Sequence, residues 1–181
     1  MTEYYFDLET YSTTDKPDPE IDQIITIQYQ PLSTETGEPK GDLQILTEWD
    51  LGSEKELLKK FKDIFLSGSD FNFIPIGVNL YGYDFIVLSN KFKKYFDMDL
   101  GFKLFRDKPT IDLKSTLVMI NNGQFRGYNA LLGKKHSGNV VREWYEKNER
   151  DKILEYIRDE AKNFVEKYQI LKEKLPNIKF S

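Results

Sequence analysis

The order of its patterned segments constrains this chain most: three strand-like runs, one helix, a fourth strand-like run, then helices. Residues 4–8 (Tyr-Tyr-Phe-Asp-Leu) and 24–30 (Ile-Ile-Thr-Ile-Gln-Tyr-Gln) are dense in aromatic and β-branched side chains, which favour strands. The loop Lys16-Pro17-Asp18-Pro19 separates them, and residues 43–47 read as a third strand after the turn from Gly37 to Gly41. Ser53 and Glu56 have capping-box spacing, and Leu57, Leu58, Phe61, Ile64 and Phe65 repeat behind them at helical period. Residues 71–78 predict a fourth strand, which Pro75 pushes to a sheet edge or to a strand end. From about residue 83 the pattern is helical, interrupted by loops at 97–109, 121–127 and 134–139. This order predicts an α/β fold, a mixed β-sheet flanked by helices. One domain over residues 1–181 is expected, because ~100–200 residues is the usual size.

Composition removes whole classes of chemistry. There is no cysteine, which excludes disulfides, thiolate catalysis and cysteine-rich zinc sites. His136 is the only histidine, so paired or triple imidazole metal sites are excluded as well. Glu3 and Asp7 interrupt the N-terminal residues, so a signal peptide is not expected. No apolar run approaches the ~20 residues of a membrane span, and a soluble, cytoplasmic protein is the expectation. Residues 1–120 carry 13 basic and 21 acidic side chains, residues 121–181 carry 13 and 9. The basic final third suits either phosphate contacts or a solvated helix face.

Three groups of residues carry chemical signals. In Phe6-Asp7-Leu8-Glu9-Thr10, strand geometry points Asp7 and Glu9 to one face and Phe6 and Leu8 to the other. Two carboxylates ~6–7 Å apart at a strand end can share Mg²⁺ or Mn²⁺, which prefer oxygen ligands; the bland reading is the polar face of an edge strand. In Gly77-Val78-Asn79-Leu80-Tyr81-Gly82-Tyr83-Asp84, a strand gives way to a helix that begins near Tyr83. Asp84 then lies in the favourable field of the helix N-terminus, and Asn79 has its own ordinary use in a turn. In the last helix, Ile153, Ile157, Phe164, Tyr168 and Leu171 form one buried stripe. Glu160 falls at the edge of that stripe with Tyr156 one turn before it, whereas Asp159 falls on the solvated side.

Together these groups resemble the DEDD superfamily of 3′–5′ exonucleases, and within it the tyrosine branch of family B DNA polymerase exonuclease domains and their stand-alone relatives. That family's first motif is Asp-x-Glu, matched by Asp7 and Glu9 with Thr10 following. Its second, Asn-x-x-x-Phe/Tyr-Asp, is matched by Asn79, Tyr83 and Asp84. Its third, Tyr-x-x-x-Asp, is matched by Tyr156 but carries Glu160 where the family has Asp. Asp159 is the alternative ligand, at an unusual two-residue spacing; the helical-face argument favours Glu160. Ile111-Asp112-Leu113 and the run Gly127 to Gly133 resemble the connecting helices of that group, and the likeness spans roughly residues 1–170. The histidine branch requires an acid five residues after the histidine, and Val141 stands there after His136.

The resemblance implies a ribonuclease H-like fold and a two-metal-ion 3′–5′ exonuclease releasing nucleoside monophosphates. Asp7, Glu9, Asp84 and Glu160 would hold two Mg²⁺ or Mn²⁺ ions, and the Tyr156 hydroxyl would orient the attacking water. Thr10, Asn79 and Tyr83 would lie near the terminal nucleotide. Arg126, Lys134, Lys135 and Arg142 are candidate phosphate contacts on the basic third. Tyr81 and Phe125 could stack on bases, although 24 Phe and Tyr residues make core packing the commoner use of any one. The implied partner is nucleic acid, DNA ahead of RNA, engaged at a single-stranded 3′ end. Two alternatives stay open: a nucleic-acid-binding module weakened in catalysis through Glu160, and a ribonuclease H-like endonuclease.

Overall fold

The computed structural model describes residues 2–14, 16–67, 73–101, 107–120, 122–124 and 139–174. Strand β1 (Glu3–Tyr11) occupies the middle of a five-stranded sheet of order β3-β2-β1-β4-β5. β2 (Gln23–Leu32) pairs antiparallel with β1, and β3 (Gln44–Thr47) antiparallel with β2. β4 (Ile74–Gly77) and β5 (Ile111–Asp112) continue the sheet on the other side in parallel register, so the sheet is mixed. The helices are α1 (Glu48–Leu51), α2 (Glu54–Phe65), α3 (Asp84–Phe96), α4 (Leu113–Ile120), α5 (Asn139–Glu146) and α6 (Arg150–Lys174).

The local signals act as their chemistry dictates. The Ser53 hydroxyl accepts from the Glu56 backbone N–H at 3.2 Å and starts α2, which ends at Phe65. Phe6 and Leu8 face a core shared with Leu57, Phe61, Phe85 and Phe92 of α2 and α3. Tyr5 faces the opposite side, against Phe164 at a ring separation of 4.8 Å. Thus β1 is covered on both faces, which is why it reads as aromatic on both sets of alternate positions rather than as a half-polar strand.

Two expectations are corrected. β4 is not an edge strand: it lies between β1 and β5, and Pro75 is tolerated because the ladder with β5 begins only at Ile76. Pro75 is instead the second residue of a four-residue strand, paired with Tyr4, so it stands neither on a sheet edge nor at the strand's terminal position. Ile111 and Asp112 belong to no helix; they form β5, and α4 starts at Leu113. Two residues are too few to show a period, and the pairing with Ile76 and Gly77 decides the conformation. The run from Gly127 to Gly133 lies outside the described residues.

The docking of α6 on β1 positions the site. A strand advances roughly 6.6 Å every two residues and a helix roughly 6 Å every four, so the two can stay in step along their lengths. At one end the Tyr168 hydroxyl donates to Glu3 at 2.8 Å, with Lys172 on the same carboxylate at 3.0 Å. Phe164 meets Tyr5, and Glu160 meets Asp7 and Glu9. Residues 168, 164 and 160 therefore descend α6 as residues 3, 5 and 7 to 9 ascend β1, and the helix runs antiparallel to the strand. The whole stripe read from the sequence (Ile153, Ile157, Phe164, Tyr168 and Leu171) is buried.

Candidate active site

The carboxylates of Asp7, Glu9 and Glu160 offer oxygens that all lie within 4.8 Å of one another. Glu9 and Glu160 are buried and Asp7 is half-buried. Asp84 lies outside that group of three, in the first turn of α3, where it is 5% exposed and close enough to feel the charges of Asp7 and Glu160. The β1–β4 ladder covers Glu3 to Tyr5, so the Leu8 N–H lies beyond it, and the Asp84 carboxylate accepts from that N–H. Burial is the main force holding the Asp84 carboxyl well above the usual carboxylate range, and the charges of Asp7 and Glu160 add to it. Asp159 is exposed on the far side of α6, so the helix itself chooses between the two acids.

Two tyrosines close the cluster. Tyr156, 8% exposed, is hydrogen-bonded to Glu160 one turn further along α6. Burial first, then the charges of Glu9 and Glu160, push its hydroxyl far above its ordinary value, so it remains a protonated donor. Tyr5, one strand step before Asp7, donates to Asp7 Oδ2 at 3.4 Å and is likewise held protonated, mainly by burial. Asp7 Oδ2 also accepts from Gln28 Nε2 at 3.1 Å. Sequence reasoning missed both Tyr5 and Gln28. The signal for Tyr5 was present, since positions 5, 7 and 9 share one strand face.

The other expected residues gather in two neighbouring networks. The Thr10 and Tyr83 hydroxyls are 2.7 Å apart, and Tyr83 donates to Asp22 at 2.5 Å. Asp22 is 1% exposed and also accepts from the Asp18 N–H at 2.9 Å, so the proline-rich loop is tied to the start of α3. Desolvation, followed by the Asp22 hydrogen bond, raises the Tyr83 hydroxyl above its ordinary value. Asn79 adopts φ +68, a left-handed turn conformation that asparagine tolerates. Its Oδ1 accepts from Lys114 Nζ at 2.7 Å, and its N–H donates to Asp112 at 2.8 Å. Asp112, invisible as a site residue in the sequence, also receives the N–H groups of Tyr81 and Lys114 and so fixes the loop. Tyr81 is partly exposed and edge-on to Phe85. Arg142 donates to Glu146 and to the Thr14 carbonyl. Phe125, Arg126, Lys134, Lys135 and His136 lie outside the described residues.

The donor set is all oxygen, with neither imidazole nor thiolate. Such clusters suit hard divalent cations, and the mutual repulsion of closely held carboxylates is relieved when a cation binds. These residues therefore fit Mg²⁺ or Mn²⁺.

No family model matches the chain, and a search of curated proteins finds no match. Among solved structures, the fold is similar to that of exonuclease I from E. coli. The metal-free complex of that enzyme with single-stranded DNA aligns with TM-score 0.51 and 16% identity, covering 66% of this chain and 30% of the other. A complex with a 5cy-dT13 oligonucleotide gives 0.51, 16%, 65% and 29% respectively. An SSB/exonuclease I structure with an inhibitor gives 0.51, 16%, 66% and 30%. The chain thus spans about 30% of the length of these neighbours. At this identity the likeness establishes the architecture: an α/β, ribonuclease H-like fold with a mixed five-stranded sheet flanked by helices, as expected from the element order. Among the described residues no helix is long and apolar enough to cross a membrane.

Proposed function

We propose that this chain is a metal-dependent 3′–5′ exonuclease of the tyrosine branch of the DEDD superfamily. It would act on single-stranded DNA ends and release nucleoside monophosphates. The observation that carries this reading is the meeting of Asp7, Glu9 and Glu160 oxygens within 4.8 Å, beside a protonated tyrosine, on an exonuclease-like fold. Structures of exonuclease I hold single-stranded DNA and a 5cy-dT13 oligonucleotide, which supports DNA over RNA as the substrate of this chain.

Asp7, Glu9, Glu160 and Asp84 are the ligands in this reading, for two Mg²⁺ or Mn²⁺ ions. Bound ions supply charge stabilisation at the scissile phosphate and activation of the attacking water. The protein's share is positional. Tyr156 keeps its proton because burial and nearby carboxylates disfavour its anion; turned from Glu160 to a water oxygen, that one O–H would fix the direction of in-line attack. Thr10 and Tyr83, joined by a hydrogen bond and anchored on Asp22, would border the terminal nucleotide. Asn79 would act through its turn, since Lys114 engages its side chain. Arg126, Lys134, Lys135 and Arg142 are proposed phosphate contacts.

Linear and circular forms of one single-stranded oligonucleotide test this function. Degradation of the linear form to mononucleotides, with the circle intact, is the expected outcome in Mn²⁺. Internal cuts in the circle would favour the endonuclease reading. Binding without any hydrolysis would favour a module weakened through Glu160.

A further inference from the structure

Two of the most deeply buried polar side chains in the sheet belong to β2, and both lead to the carboxylates. Thr26 and Gln28 are each 0% exposed. Antiparallel register sets Gln28 directly opposite Asp7 and Thr26 directly opposite Glu9, so the four side chains form a square on one sheet face. The Thr26 hydroxyl donates to Gln28 Oε1 at 2.9 Å, and Gln28 Nε2 donates to Asp7 Oδ2 at 3.1 Å. The relay has one direction. The Asp7 carboxylate only accepts, so the amide nitrogen is the end presented to it, which leaves Oε1 to accept from the Thr26 hydroxyl.

Stability alone does not call for this arrangement. Valine, isoleucine or leucine at two buried strand positions would carry no hydrogen-bond obligations, whereas a buried polar group left without a partner costs about 1–3 kcal/mol. We infer that Gln28 is a positioning residue for Asp7, and that Thr26 holds the Gln28 amide in place through its Oε1. Gln28 fixes the rotation of the Asp7 carboxylate about its side-chain axis, with Tyr5 on the same oxygen from within β1. A carboxylate fixed before a cation arrives loses less rotational freedom on binding, so the β2 pair raises divalent-ion affinity without touching the ion. Outer hydrogen bonds of this kind typically change metal affinity by about 10- to 100-fold. The inference rests on the proposed metal site.

Titration of the metal-free protein with Mn²⁺, followed by calorimetry and by thermal denaturation, tests it without any activity measurement. Gln28→Leu is expected to weaken Mn²⁺ binding about 10-fold or more. Thr26→Val, nearly isosteric and contacting no carboxylate in this relay, is expected to weaken it by a smaller factor, and Thr26→Ser to restore wild-type affinity. A purely structural role would lower the melting temperature of the metal-free variants and leave Mn²⁺ affinity unchanged. Should Gln28→Leu not fold, the contrast between Thr26→Val and Thr26→Ser still decides. Wild-type protein that binds no Mn²⁺ would overturn the metal site and the inference with it. Wild-type binding matched within about twofold by folded Thr26→Val and Gln28→Leu, well short of the expected change, would overturn the inference alone.

Discussion

Replacing Glu160 with glutamine should make the metal-free protein more stable while weakening its response to metal. In the wild type, Glu160 lies within 4.8 Å of both Asp7 and Glu9, oxygen to oxygen. At an effective dielectric of about 20, each such pair of full charges repels by roughly 3.5 kcal/mol. Solvent at the half-buried Asp7 screens the realised repulsion, leaving a gain on the order of 2 kcal/mol for the neutral amide. The amide oxygen still accepts from Tyr156, so packing is conserved. For a chain of this length, about 2 kcal/mol corresponds to a rise of about 4–8 °C in melting temperature. The wild type, by contrast, should gain about 2.7 kcal/mol from Mn²⁺ at about a hundred times its dissociation constant. The assay is thermal denaturation at neutral pH and low salt, in chelator and then in Mn²⁺. The lead of Glu160→Gln in chelator should shrink in Mn²⁺, and reverse where the variant gains less than about 0.7 kcal/mol from the ion. A variant that melts lower than wild type in chelator, or gains as much as wild type from Mn²⁺, would refute the reasoning.

Three further outcomes follow from the same geometry. Asp84 has a native pKa raised above its unfolded value of ~3.9, so the native state holds the proton longer than the unfolded chain. Metal-free stability should therefore fall as pH rises from about 4 towards that raised native value, and Asp84→Asn should flatten the decline in denaturant titrations across that range. Tyr156→Phe should lower kcat by about 10²-fold with Mn²⁺ affinity nearly unchanged, separating the orientation of water from metal holding in steady-state and binding measurements. Gly77→Ala should cost about 1–3 kcal/mol in chemical denaturation, because a Cβ there would stand 2.7 Å from the Phe6 carbonyl oxygen and 2.6 Å from Leu80 Cδ2.

Much of the site was legible because strand and helix periods are simple. Alternation alone put Asp7 and Glu9 on one face, opposite Phe6 and Leu8, and a helical wheel separated Glu160 from Asp159. Both placements hold in the structure. Asp84 was legible as a first-turn acid, but its hydrogen bond to the Leu8 N–H depends on where the β1–β4 ladder stops, which no local pattern encodes. β5 escaped for a similar reason: two residues gain strand geometry from their neighbours rather than from their own propensity. Gln28 and Thr26 fall in a run that the sequence marks only as a strand, and it is register that sets them opposite Asp7 and Glu9. Asp22 resembles a loop acid in sequence and Asp112 a member of a connecting helix, yet they anchor Tyr83 and the turn at Asn79 through contacts 61 and 33 residues apart. Long-range partners of this sort are set by the fold and are silent in the chain's periodicity.

Release of the 3′-terminal nucleotide from a 3′-labelled single-stranded DNA tests the central claim most directly, comparing wild type with Asp7→Ala in Mg²⁺, in Mn²⁺ and in chelator. Labelled mononucleotide from the wild type in either metal, none in chelator and none from a folded Asp7→Ala variant is the predicted result. Release that persists in chelator, or that survives loss of the Asp7 carboxylate, would contradict a metal-dependent exonuclease centred on Asp7, Glu9 and Glu160.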